Sequence, residues 1–83
     1  MPLEALHEAK RKTVGIKQTT KAVLQGSAKV VFVAKDADER VLRELTGACR
    51  ERKVTMIEAE DMAALGKACG IDVGAAAAAI TDE

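Results

Sequence analysis

One short segment, Gly15-Ile16-Lys17-Gln18-Thr19-Thr20-Lys21, carries the residue types that bind a phosphate or a nucleobase. Glycine lets the backbone turn tightly and lets a ligand approach closely. A helix that follows such a turn offers free N–H groups and the positive end of its dipole to an anion. Lys17, Gln18 and Lys21 are three or four positions apart, so their side chains cluster over the first helical turn.

These three side chains also suit the edges of bases. Lysine donates to guanine O6 and N7, and a glutamine amide both donates and accepts at a base edge. The segment is therefore a candidate contact to a phosphate or a base edge. The alternative is a polar helix start whose side chains are merely solvated.

Motifs of catalysis are missing from the sequence. No glycine-rich phosphate loop, no dinucleotide-binding Gly-x-Gly-x-x-Gly and no serine in a nucleophile elbow is present. Cys49 and Cys69 form no Cys-x-x-Cys pair, and the single histidine, His7, is distant from both in sequence. We therefore expect no catalytic residue, no metal site and no cofactor. An enzyme using either thiol is an alternative that requires an exposed cysteine of low pKa.

Composition narrows the class of protein. The chain has 83 residues, of which 48% are hydrophobic and 31% charged, so we predict a single globular domain over residues 1–83 with a modest core. The only aromatic residue, Phe32, lies in an apolar run, which excludes sheets that stack bases on exposed aromatic rings. No apolar run reaches the ~20 residues of a membrane span, and the N-terminus has no secretory pattern. We expect a cytoplasmic protein with no membrane partner.

The formal charge is zero but unevenly distributed. Residues 1–21 carry five basic and two acidic side chains, whereas residues 54–83 carry one basic and six acidic side chains. Affinity for a general polyanion rises with the number of phosphates neutralised. A protein of zero net charge is thus expected to bind polyanions weakly without specificity, although its positive region can bind one anionic ligand of matching local shape.

The elements that must position the candidate segment alternate between helix and strand. Apolar spacing predicts a first helix from Leu3 that the charged run 10–12 closes, and a second over about residues 17–25. A third follows an Asp38 N-cap through the apolar stripe 41–49, and a fourth, capped by Asp61, ends at Gly70. Residues 13–14 are predicted to be extended, residues 29–34 form an apolar β-branched run typical of a strand buried on both faces, and residues 54–57 form the next strand. This alternation predicts a three-layer α/β/α sandwich. The alanine-rich residues 74–80 favour a helix on propensity alone.

Three motifs occur in a fixed order. They are Gly-x-Lys-Gln-Thr-x-Lys-Ala-Val from Gly15, the apolar run 30–34 leading to Asp36-Ala37-Asp38, and Leu65-Gly66-Lys67-Ala68-Cys69-Gly70-Ile71-Asp72-Val73. Together they resemble the ribosomal-protein family L7Ae, in particular its short bacterial branch of the YbxF type, over nearly the whole chain. The resemblance implies an α/β/α sandwich around a four-stranded mixed sheet, no catalysis, and an alanine run that ends in a strand.

Members of this family bind kink-turn RNA, a sharply bent duplex with tandem sheared G·A pairs. The resemblance implies that Gly15 and Ile16 lie in the loop that approaches the RNA. It further implies that Lys17 and Gln18 meet guanine edges and that Lys21 reaches a base or a phosphate. Many archaeal and eukaryotic members carry Asn-Glu where this chain has Lys17-Gln18, which removes an acceptor charge and adds a cation.

Two further segments are assigned to RNA by the resemblance. The loop Ile71, Asp72, Val73 is implied to cover the nucleotides that bulge out at the kink, and Asp38 to contact a flipped base. Some relatives have a positively charged residue in this loop, where Val73 is apolar. The implied partner is structured RNA, either ribosomal or a regulatory leader. We expect a monomer, and the ribosome is a further candidate partner. The alternative is a protein–protein module that docks on the ribosome or another assembly without recognising a kink.

Overall fold

Four helices and four strands alternate along residues 3–81, the part of the chain that the computed structural model describes. Their order is α1 (Glu4–Glu8), β1 (Lys12–Val14), α2 (Ile16–Leu24), β2 (Ala28–Ala34), α3 (Glu39–Arg52), β3 (Thr55–Ala59), α4 (Met62–Ala68) and β4 (Ala77–Thr81). The alternation predicted from the sequence is confirmed. The predicted domain, residues 1–83, extends two residues beyond this range at each end and stays a prediction.

The strands form one mixed sheet in the order β1-β4-β2-β3. Strands β2 and β3 are parallel, while β4 is antiparallel to both β1 and β2. Helix α3 is the crossover that joins the parallel pair, as parallel strands require. The strand that comes last in chain order therefore lies in the interior of the sheet.

Both faces of the sheet are covered by helices. Val30, Phe32 and Ala34 of β2 pack with residues of α1 and α4, whereas Val31 and Val33 pack with residues of α2 and α3. Successive side chains of a strand point to opposite faces, which explains why β2 needs no polar alternation. The predicted three-layer sandwich is confirmed.

The alanine-rich segment is the point where propensity gave the wrong prediction. Residues 77–81 form β4 rather than a helix, and Ala77, Ala78 and Ala79 are fully buried. Each of these alanines pairs with a larger residue of β2, for example Ala78 with Phe32. Two flanking ladders of backbone hydrogen bonds and the space taken by those larger neighbours override the preference of alanine for helix. The family resemblance, which implied a strand here, was right.

One edge of the sheet collects the segments singled out by the sequence. Because β4 runs antiparallel to β1 and β2, its start lies beside the carboxyl ends of those strands. Hydrogen bonds join the Gly15 N–H to the Ala77 carbonyl at 2.8 Å and the Ala34 N–H to the Ala76 carbonyl at 2.9 Å. We call this the site edge; it carries the start of α2, the turn 35–38 after β2, and the loop 70–76 before β4.

Candidate nucleic-acid interface

Gly15 turns the chain from β1 into α2 in a conformation open mainly to glycine. Its backbone angles are φ 98° and ψ 158°, a region that other residues occupy only with strain. A Cβ built at this position would meet no atom within 4 Å, so the requirement for glycine comes from the backbone rather than from crowding. The open space in front of Gly15 lets another molecule approach the main chain closely.

The start of α2 is left uncapped. Gly15 has no side chain to accept a hydrogen bond, and among the described residues the N–H groups of Ile16, Lys17 and Gln18 find no acceptor. Unpaired N–H groups at a helix start need a partner from water or from a ligand. Together with the helix dipole they make this end of α2 attractive to an anion or to a base acceptor.

Packing fixes which side of α2 faces outward. Thr19, Ala22 and Val23 are buried, and the hydroxyl groups of Thr13 and Thr19 share a hydrogen bond of 2.8 Å between β1 and the helix. The exposed side chains of this helix include Lys17, Gln18 and Lys21. The structure thus brings these three predicted contact residues together on the solvent side of the first turns, while Ile16 is half-buried beside them.

The loop 71–73 follows α4 and is held by close backbone contacts. Gly70 ends the helix with φ 81°, and the Ile71 N–H donates to the Gly66 carbonyl at 3.1 Å. A Cβ on Gly66 would collide with the carbonyl group of Val73. Ile71 is half-buried against the core under α1 and α4, whereas Asp72 and Val73 are exposed, the latter at 70%.

Asp38 lies in the turn that leaves the same edge, but its carboxylate already has internal partners. It caps α3 by accepting the Arg40 N–H at 2.8 Å, and it also accepts the Arg40 Nη2 at 3.0 Å. The hydrogen bond from the Arg40 side chain is the main cause that holds the pKa of Asp38 below its usual value. The structure therefore places Asp38 near the other candidates while assigning it a structural task.

Two residues that hold the site escaped the sequence reasoning. Gly66 allows the loop 71–73 to lie directly against α4. The sequence showed it as a glycine inside a helical pattern and within the third motif, but no role was assigned to it. Asp36 was predicted only to supply a turn, yet its carboxylate accepts the Met62 N–H at 2.9 Å and so ties the turn 35–38 to α4. A contact across twenty-six positions leaves no local trace in the sequence.

The described part of the chain, which includes both cysteines, lacks the exposed, activated cysteine that the thiol alternative requires. Cys49 and Cys69 are both buried, and burial raises the pKa of each thiol. An activated cysteine must be exposed and have a lowered pKa, and neither cysteine has these properties. Within residues 3–81 no three metal-binding side chains lie together, and no helix there has the length and apolarity of a membrane span.

Comparison with known proteins gives consistent matches. The model of the ribosomal protein L7Ae/L30e/S12e/Gadd45 family matches residues 2–83. RNA-binding protein TTE2299 of Caldanaerobacter subterraneus subsp. tengcongensis is 46% identical over 69 residues, which cover 83% of this chain and 84% of that protein. RNA-binding protein YbxF of Geobacillus stearothermophilus is 42% identical over 80 residues, covering 96% and 98% respectively.

Solved structures agree with this fold. A Giardia lamblia 15.5kD RNA binding protein superposes with a TM-score of 0.86 and 27% identity, over 98% of this chain and 68% of that one. A protein of unknown function from Bacillus halodurans C superposes with a TM-score of 0.83 over 96% of this chain and 80% of its own. At 22% identity the second likeness concerns the fold alone.

Proposed function

Because this chain belongs to the ribosomal protein L7Ae/L30e/S12e/Gadd45 family, we propose that it binds RNA, and that its target is a kink-turn with tandem sheared G·A pairs. The names of its bacterial relatives support RNA as the ligand. The observation that carries the proposal is the uncapped start of α2 at the same edge of the sheet as the loop 71–73. An exposed basic helix start and an exposed loop side by side suit a bent RNA better than a straight one.

The shape of RNA explains why a kink is needed. The major groove of a regular A-form duplex is too deep and narrow for side chains to read. Non-Watson–Crick pairs at a kink widen the groove, so a helix start can reach the base edges. Such recognition needs no aromatic platform, which fits a chain whose single aromatic residue, Phe32, is fully buried.

Within this proposal the start of α2 enters the widened groove. Gly15 and Ile16 allow the main chain to approach, and the free N–H groups meet phosphate or base acceptors. Lys17 and Gln18 meet the guanine edges of the G·A pairs. Lys21, one turn further along the exposed side, reaches a base or a phosphate.

The loop 71–73 and Asp38 complete the proposed contact. Val73, an apolar side chain that is 70% exposed, covers the nucleotides that leave the stack at the kink, together with Ile71 and Asp72. Asp38 contacts a flipped base with a carboxylate oxygen that Arg40 holds in the free protein. This last contact is supported only by the position of Asp38 at the site edge.

The protein is proposed to act as a cytoplasmic monomer on ribosomal RNA or a regulatory leader RNA, and to associate with the ribosome. Among residues 3–81 the exposed large apolar side chains, Leu24, Val41 and Val73, lie on three different elements. Single apolar side chains of this kind are ordinary on the surface of a monomer, which supports a monomeric protein. Binding stabilises the kinked conformer within a flexible RNA ensemble.

A titration at moderate salt on two hairpins tests the proposal. One hairpin carries a kink-turn, and in the other its G·A pairs are replaced by Watson–Crick pairs. We expect a preference of about a hundredfold or more for the first, equivalent to roughly 2.7 kcal/mol. Weak and equal binding that falls steeply with salt would reject kink recognition and favour the protein–protein module instead.

A further inference from the structure

The outer side of α3 carries two exposed arginines that the proposed site does not use. Arg43, Thr46, Gly47 and Arg50 are three, four and seven positions apart, so they share one side of the helix. They line a shallow depression of about 480 Å³ together with Glu39 and Leu42. We call these four residues the arginine face. It differs from the side on which Glu44 lines the groove between α2 and α3.

Gly47 has no structural reason to be glycine. It lies inside α3, its φ is not among the positive values of the described residues, and an added Cβ would meet no atom within 4 Å. Glycine inside an exposed helix is less stable than alanine. The missing side chain leaves helix backbone bare at the centre of the depression, where a molecule from outside can come close.

Both arginines are free to bind an anion. Neither the Arg43 nor the Arg50 guanidinium forms a hydrogen bond or an ion pair with another residue in the range 3–81, whereas Arg40 is paired with Asp38. Both side chains are exposed, and the half-buried Thr46 lies between them in the sequence. Arginine and threonine side chains are common partners of phosphate oxygens.

We propose that the arginine face binds the sugar-phosphate backbone of an RNA stem that extends from the kink. This inference rests on the proposed function. Helix α3 begins at the site edge, and at the rise of an α-helix Arg43 lies about 7 Å and Arg50 about 18 Å along its axis from Asp38. An RNA that touches only the start of α2 and the loop 71–73 does not reach these arginines, but a longer stem does.

The test compares RNAs of two lengths. A minimal kink-turn hairpin is titrated beside versions in which each stem in turn is lengthened by about one helical turn, roughly ten base pairs. The double variant Arg43→Gln/Arg50→Gln is expected to bind the minimal hairpin as the unmodified protein does. It should bind one of the longer RNAs roughly tenfold more weakly, and the slope of log affinity against log salt should fall by about 1.5–2 units.

Two further variants separate contact from general charge. Lys10→Gln/Arg52→Gln removes the same net charge from exposed positions outside the arginine face and should not change the dependence on RNA length. Gly47→Ala should melt at a higher temperature than the unmodified protein and yet bind the longer RNA about threefold more weakly, because a methyl group then covers the bare backbone.

The outcomes distinguish this inference from the proposed function. If Arg43→Gln/Arg50→Gln binds the minimal and the lengthened RNAs as tightly as the unmodified protein does, the arginine face is not an RNA contact. That result favours an acidic protein as the ligand of this face. An equal loss in the Lys10→Gln/Arg52→Gln control overturns it as well. Loss of the preference for the kink in the unmodified protein rejects the proposed function, while an affinity for the longer RNA that depends on Arg43 and Arg50 still supports the second surface.

Discussion

Helices α2 and α3 start at the same edge of the sheet but differ in how their N-terminal N–H groups are capped. Helix α3 begins after Asp38, whose carboxylate accepts the Arg40 N–H at 2.8 Å. Helix α2 begins after Gly15, which has no side chain and leaves the first N–H groups without an acceptor in the described chain. The start of α3 is capped by its own sequence, whereas the start of α2 is uncapped.

Helix α4 follows the pattern of α3. The Asp61 carboxylate accepts the Ala64 N–H at 2.7 Å, and Asp36 accepts the Met62 N–H at 2.9 Å. An N-cap contributes about 1 kcal/mol to stability. Of the four helices in residues 3–81, α3 and α4 have side-chain caps, whereas α1 and α2 have none. The proposed function makes use of the uncapped start that lies at the site edge, that of α2.

The largest effect on this contrast is expected from Gly15→Ala. Alanine at φ 98° and ψ 158° is strained, so the free energy of unfolding should fall by about 1–3 kcal/mol, and the added methyl group should weaken RNA binding. Urea denaturation and a hairpin titration measure the two effects. Gly47→Ala is the matched control, since an unstrained helical glycine gains about 0.5–1 kcal/mol on the same change. Equal stability changes in both variants would mean that the backbone of Gly15 imposes no requirement.

Side-chain truncation on α2 should affect binding without affecting folding. Lys17→Ala and Gln18→Ala are each expected to cost about 1–3 kcal/mol in binding of a kink-turn hairpin and to blur selectivity for its G·A pairs. Their unfolding free energies should change by less than about 0.5 kcal/mol, because both side chains are exposed. Lys21→Ala, if its ammonium group meets phosphate, should weaken all RNAs and lower the salt slope by about one unit. Identical losses for kinked and straight RNA in all three variants would contradict base readout.

The capped helices should show the reverse behaviour. Asp61→Ala removes the acceptor of the Ala64 N–H and is expected to lower the free energy of unfolding by about 1 kcal/mol. Asp61→Asn retains a capping oxygen and serves as the control. The affinity of the folded Asp61→Ala variant for the kink-turn hairpin should equal that of the unmodified protein. A marked loss of affinity would show that the contrast between closed and open helix starts is false.

The smallest effect concerns the pH dependence of stability at Asp38. The Arg40 hydrogen bond lowers the pKa of Asp38 in the folded protein below the ordinary value of 3.8. A lowered folded-state pKa gives a contribution that is present above the unfolded pKa and is lost as the pH falls through the folded pKa. Asp38→Asn, which keeps a capping side chain, should therefore flatten the decline of stability below about pH 4. Denaturation curves from pH 5 down to pH 2.5 would reveal an unchanged decline if the ion pair contributes nothing.

The sequence revealed those parts of the fold that depend on local pattern. The apolar run around Phe32 predicted a strand with two buried faces, and Asp38 and Asp61 predicted helix starts that the structure confirms. The strand β4 was missed by propensity, because what makes Ala78 a strand residue is its buried position between β1 and β2. Strand partners so distant in sequence leave no periodic signal in the alanine run, and only the family resemblance predicted a strand there.

The candidate site also has features that local sequence pattern predicted and features that depend on contacts between distant segments. The spacing of Lys17, Gln18 and Lys21 was enough to place them on one side of a helix, and the structure shows all three exposed. The fixed position of the loop 71–73 depends on Gly66, whose bare backbone lies against the Val73 carbonyl. That contact joins two main-chain segments, and a pattern of side-chain types does not encode it.

The interior position of β4 has a consequence for the order in which the sheet and the candidate site form. During synthesis β1 and β2 emerge first, but they have no common partner until β4 arrives and inserts between them. The Ala77 carbonyl, which holds Gly15 in place, belongs to this late strand. A chain that lacks β4 therefore presents two unpaired strand edges, which are prone to aggregation, and has no backbone partner to hold Gly15 of the candidate site in place.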